Sequence, residues 1–181
     1  MCLRSLFVLV VAALSCWARP SECAPLVSVE GGRGESVDVW GLGVGWDRVQ
    51  TWTLGRQAEI ELYALGRVDH WHGTEAGAVV SDLWDVSATP VVRLQASGDP
   101  GPGVFLDIGF GVHLISETRI NAHRQFSTVF QFGEFLGPGI RFGSRGQVDL
   151  SFRVQHVSNG NIEEPNNGLN FRTLVLQYRF R

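Results

Sequence analysis

Two side chains late in the chain have the types and spacing for nucleophilic chemistry: His156 and Ser158. They end an alternating run over 147–158. Val148, Leu150, Phe152, Val154, His156 and Ser158 share one strand face, and Gln147, Asp149, Ser151, Arg153 and Gln155 share the other. Two residues apart on one face, their Cα atoms are about 6.5–7 Å apart, and an imidazole can reach a hydroxyl across that gap. A base beside a serine is half of a nucleophilic-serine site. The competing reading is an interfacial polar pair at the rim of a barrel.

A serine nucleophile attacking a carbonyl also needs donors for the oxyanion and something to orient the base. The next segment holds Asn159, Gly160 and Asn166, with Pro165 and Gly168 to hold a tight turn. The backbone N–H groups around Asn159 and Gly160, with the Asn166 amide, are the candidate donors; ordinary turn chemistry is the alternative. The short segment Gly143-Ser144-Arg145-Gly146 sets a register in which Phe142 opposes Val148. Continued outward, that register places Glu134 opposite His156 and Phe132 opposite Ser158. Directly opposed Cβ atoms are about 4.5–5.5 Å apart, so Glu134 is one candidate to supply charge beside the imidazole. A bulge would turn it away.

The elements that must position these groups are strands. Eight strand-like stretches are expected at 26–34, 36–47, 57–71, 83–96, 104–116, 127–143, 147–158 and 169–181. They alternate apolar with polar or glycine residues, as in Trp40, Leu42, Val44, Trp46 against Gly41, Gly43, Gly45. Many are a dozen residues long, beyond an ordinary strand and sufficient for a tilted membrane strand. Polar rows such as Glu59/Glu61 and Asp149/Arg153 suit a polar lumen. Trp40, Trp46, Trp71 and Trp84 suit an interfacial aromatic girdle. The fold class is therefore all-β, an eight-stranded antiparallel transmembrane barrel. A secreted soluble barrel of the lipocalin type is the alternative. With an even strand count both termini share one side. The loops after strands three, five and seven are polar and mostly longer, as extracellular loops are, so the His156/Ser158 end faces the outer leaflet.

The chain has 181 residues, enough for one domain, and the 22 glycines among them fit a strand-and-turn fold. Net charge is -3 without a basic run, so nucleic acid is not implied. Arg4 followed by an apolar run over 5–14, with small residues at 18–24, reads as a secretory signal occupying 1–24, cleaved between 18 and 24. Residues 25–181 are then the mature domain. The alternative is an uncleaved anchor. Cys2 and Cys16 leave with the signal and Cys23 is alone at most, so no disulfide framework exists. His70 and His72, with Glu75, could hold a metal but read better as rim residues. His113 reads as a satisfied lumen histidine, and Arg119, His123 and Arg124 as a solvated loop.

His156-Val157-Ser158-Asn159, followed by Pro165-Asn166-Asn167-Gly168-Leu169-Asn170, resembles the signature of PagL-type lipid A deacylases. Phe132 and 137–142 resemble that family's sixth strand. The resemblance implies an eight-stranded outer-membrane barrel that removes the ester-linked acyl chain at the 3 position of lipid A. It implies a lipid-facing serine and histidine, no metal and no cofactor, and lipopolysaccharide as substrate. Residue by residue, it makes His156 the base and Ser158 the nucleophile, and associates Asn159 and Asn166 with the oxyanion site and its loop. Where some members carry a Glu that orients the histidine, this chain has Asn170. The third member is thus open between Asn170 and Glu134. The competing functional readings are a non-enzymatic surface barrel, serving as antigen or adhesin, and a soluble lipid carrier.

Overall fold

The computed structural model describes residues 24–75, 82–96 and 101–180. The expected signal segment up to residue 23, parts of the expected connections (76–81 and 97–100) and Arg181 lie outside the described residues. Eight antiparallel strands run in order: β1 (Pro25–Gly34), β2 (Val37–Leu54), β3 (Ala58–Gly73), β4 (Asp82–Ala96), β5 (Gly103–Ile115), β6 (Phe130–Phe142), β7 (Val148–Ser158) and β8 (Leu169–Arg179). Each pairs with the next and β8 pairs with β1, so the barrel closes. Closure leaves no unpaired edge, the condition for strands to cross a bilayer.

The alternation seen in sequence sorts onto the two faces. Leu42, Val44, Val86, Ile108, Leu136 and Leu174 are among many exposed apolar side chains on the outside, and the rows between them are buried. An exterior this apolar is unfavourable in water and favourable in hydrocarbon. Inward rows containing Gly41, Gly43 and Gly45 make room for neighbours' side chains. At Gly41 a Cβ would sit 1.8 Å from Asp69 Oδ1.

Two expectations need correction. The second strand runs to Leu54, well past residue 47. A register shift between Trp46 and Gln50, with Arg48 at φ 50°, interrupts the alternation there and hid the continuation. Trp71 is not in the girdle. It points inward, 1% exposed, with its ring 4.7 Å from Phe171 and 6.4 Å from Phe126. It follows the inward parity of Glu61 and Tyr63 on the same strand. Trp40, Trp46 and Trp84 are outward and exposed.

The lumen is filled. At the end nearer the short β6–β7 turn, Arg179 donates to Asp47 Oδ2 (3.1 Å), Glu61 Oε1 (2.9 Å) and Asp149 Oδ2 (3.0 Å). Arg93 grips Asp107 with two bonds (2.6 and 2.7 Å), and Tyr63 donates to the same carboxylate (2.8 Å). Further along, Arg67 holds Glu30 (2.9 Å), which Arg153 also reaches. Buried charges survive only when paired in this way. At the opposite end the fill is apolar. The β5–β6 loop, 116–129, folds inward and buries Ile120 and Phe126 against Trp71, Val157, Leu169 and Phe171.

Candidate active site

Three neighbouring strands bring the candidate residues together. β6 and β7 pair Phe142 with Val148 and, further along, Glu134 with His156 and Phe132 with Ser158, the register expected from the short turn. β8 approaches from the other side and pairs Asn170 with His156. His156 and Ser158 are half-buried, while Glu134 and Asn170 are exposed, all on the outward face.

The imidazole is held by β8. His156 Nδ1 lies 2.8 Å from Asn170 Oδ1. The Asn170 amide is itself fixed: its Nδ2 donates to Glu35 Oε1 (3.2 Å) and its main-chain N–H to Glu35 Oε2 (3.1 Å). A carboxylate only accepts, so the amide oxygen must face the ring. Nδ1 then carries the proton and Nε2 is left as the bare basic nitrogen. Glu134 makes no hydrogen bond to the imidazole, although it opposes His156 in register. Glu35 was not found by reading the sequence. It lies 135 positions from Asn170, in a turn with no motif around it.

Gly168 closes the back of the ring. It has φ +60°, and a Cβ there would stand 2.8 Å from His156 Cε1 and 3.2 Å from Nε2. Gly168→Ala must push the imidazole out of place, and a displacement of about 1 Å can cost on the order of 10²-fold in rate. Turnover by this variant is therefore expected to fall by about that factor while the barrel stays folded, measured as ester cleavage by the purified protein. Wild-type turnover would show that the ring position near Gly168 does not matter.

The loop of 159–168 differs from expectation in how its donors are used. Asn159 is buried; its main-chain N–H goes to Asn166 Oδ1 (3.1 Å) and its Nδ2 to Glu163 O (2.7 Å). The Asn166 Nδ2 goes to Asn161 Oδ1 (3.0 Å). Two of the three candidate donors are thus spent on shaping the loop. Gly160, exposed at φ +66°, keeps its N–H free of any partner among the described residues. The Phe132 ring packs against Gly160, 3.2 Å from where a Cβ would stand. With Phe110 (5.9 Å) and Phe130 (5.0 Å) it makes an outward aromatic patch beside Ser158. The β5–β6 loop steadies this segment: Ser127 donates to Pro165 O (2.8 Å) and Gln125 N–H to Asn167 Oδ1 (3.2 Å).

The other histidines have separate partners. His113 is buried in the lumen, with Nδ1 2.6 Å from Asp85 Oδ2. His70 and His72 both turn to Asp82 Oδ1 (3.4 and 2.8 Å), while Glu75 faces His123 (3.2 Å). Arg124 pairs with Glu35 (3.2 Å), and Arg119 donates to Asn121 O (3.2 Å).

The family described as "Lipid A 3-O-deacylase (PagL)" matches residues 39–179. The chain is similar to the lipid A deacylase PagL of Pseudomonas aeruginosa, 28% identical over 161 residues, which is 88% of this chain and 89% of that protein. It is also similar to the lipid A deacylase PagL of Bordetella bronchiseptica, 32% identical over 98 residues, which is 54% of this chain and 51% of that protein. Among solved structures, the outer membrane enzyme PagL matches with TM-score 0.75 at 23% identity, over 86% of this chain and 99% of that one. Neisserial surface protein A matches with TM-score 0.51 at 10% identity, over 88% and 98%. Both structural likenesses speak to the fold.

Proposed function

Because the chain belongs to the lipid A 3-O-deacylase (PagL) family, we propose that it hydrolyses the ester-linked acyl chain at the 3 position of lipid A, with Ser158 as nucleophile and His156 as base. The observation that carries this reading is the outward-facing pair on β7, with His156 Nδ1 anchored on Asn170 and Nε2 left as base. A soluble esterase hides such a pair in a cleft. Here it sits on the surface that lipid covers, where an acyl ester of a membrane lipid would be met directly.

The steps follow from that arrangement. His156 Nε2 takes the Ser158 hydroxyl proton as Oγ attacks the ester carbonyl carbon. The carbonyl oxygen becomes an oxyanion, which the Gly160 N–H receives. Collapse breaks the bond to the sugar oxygen, and that oxygen leaves with the proton from His156. Water then attacks the acyl-serine, giving up a proton to His156, and a free fatty acid departs as Ser158 is regenerated. Asn159 and Asn166 shape the loop that presents Gly160, and Phe132 gives the acyl chain an apolar contact. Orientation of the base is assigned to Asn170, which bonds the ring; Glu134 only faces it.

The setting is the bacterial outer membrane, with residues 1–24 as the secretory signal that sends the chain there. At the active-site end the connections 116–129 and 159–168 are long, although the β1–β2 turn there is only 35–36, and at the other end 55–57 and 143–147 are short. That asymmetry supports an active site at the outer leaflet. No metal or cofactor enters these steps. Purified protein in detergent, given lipid A and a chelator, is therefore expected to release the 3-linked fatty acid, identified by mass spectrometry of both products. Release from another position, or activity lost in chelator and restored by one ion, would contradict the proposal.

A further inference from the structure

Asn170 can orient an imidazole, but it brings no charge to the imidazolium that forms when His156 takes a proton. A carboxylate stands one hydrogen bond further out. Glu35 grips Asn170 with both oxygens, one on the side-chain Nδ2 (3.2 Å) and one on the main-chain N–H (3.1 Å). Resting on the reading of Ser158 and His156 given above, we propose that Glu35 is a positioning residue that locks the Asn170 amide and delivers, through it, the negative charge facing the His156 imidazolium. The relay runs from the β1–β2 turn to β8 and then to β7. No proton travels along it: Nδ1–H stays on His156, and Asn170 stays neutral.

Three features of the chain around Glu35 point to a carboxylate being kept there for this purpose. First, Glu35 and Ser36 have φ 42° and 65°. They form a two-residue hairpin turn at positions that favour Gly and Asn, so a Glu is held in the left-handed region without local benefit. Second, Gly34 allows the end of β1 to press onto β8, since a Cβ there would lie 1.6 Å from the Asn170 carbonyl oxygen. Third, the β1–β8 ladder stops at Arg33 opposite Arg172, so the Asn170 N–H receives a side-chain acceptor where a main-chain one would come next. Arg124, from the β5–β6 loop, holds Glu35 in place (3.2 Å) and also reaches Asn167 O (3.4 Å) in the active-site loop. The carboxylate is thus tied to both sides of the site.

A carboxylate that merely capped the ladder would affect stability and leave chemistry alone. The test uses the purified mature barrel in detergent with lipid A as substrate. Glu35→Gln is expected to lower kcat about tenfold with KM within about twofold. Glu35→Gly, which suits φ 42°, is expected to lose the same activity while its heat-modifiable barrel is as stable as wild type or more so. Adding Asn170→Glu to Glu35→Gln, which puts a carboxylate directly on the imidazole, should restore most of the loss. Wild-type kcat in Glu35→Gln overturns the proposal. So does a loss that Asn170→Glu fails to rescue, or a kcat loss produced by Glu134→Gln and not by Glu35→Gln. Ser158→Ala in the same assay separates the two levels. If it stays active, the serine reading fails. If it is inactive while Glu35→Gln is wild type, only the relay fails.

Discussion

Ser158→Ala is expected to reduce kcat/KM for lipid A by about 10⁴-fold or more while leaving the folded barrel intact. The magnitude follows from what the hydroxyl does. On the proposed mechanism, its loss leaves no acyl-serine, and only binding and the proposed oxyanion donor at Gly160 still favour attack by water, which in serine hydrolases leaves a residual of about 10³–10⁴ over the uncatalysed rate. His156→Ala should fall to a similar level, and the double variant should be scarcely worse than either single one, because base and nucleophile act as a unit. Ser158 is a half-buried residue at the end of β7, opposed to Phe132 and outside the lumen network, so its loss removes no buried partner. Heat-modifiable migration of the variant checks that point. A Ser158→Ala protein within tenfold of wild type would assign the nucleophile elsewhere.

The second large effect is on stability and lies at the other end of the barrel. Arg179 is fully buried and donates to Asp47, Glu61 and Asp149 at once. Arg179→Met keeps roughly the same volume and leaves three carboxylates without that counter-charge in the filled lumen. Breaking one side of such a network costs about 3–5 kcal/mol. Urea titration followed by heat-modifiable migration should show the folded band lost at a clearly lower midpoint. Asn170 is nine residues away along β8, about 30 Å at strand rise, so the folded fraction should keep its wild-type kcat. An unchanged midpoint would mean that the lumen network contributes nothing net to folding. A lowered kcat would mean that the two ends are coupled.

What the sequence made legible follows from the period of a strand. Inward and outward rows, the closed eight-stranded sheet and the β6–β7 register all rest on alternation and one short turn, and these are local signals. Even Trp71 was readable in principle, since its parity with Tyr63 points it inward. The length of β2 was not, because the irregularity after Trp46 breaks the alternation. Nor was the use of the asparagines. Asn159 and Asn166 look like oxyanion donors by type, and only the folded loop shows them bonded to each other. Glu35 is the furthest from reach. Its partner is set by barrel closure between the first and last strands, and no nearby residue marks it.

The central claim is that Ser158, activated by His156 on the lipid face, is the nucleophile. Its most direct test is covalent labelling of the purified barrel with an alkyl fluorophosphonate, followed by peptide mass spectrometry. The account predicts one adduct, on Ser158, formed in step with the loss of lipid A deacylation and absent from His156→Ala. Deacylation that continues with Ser158 fully labelled, or that is lost with the adduct on another residue, would contradict it.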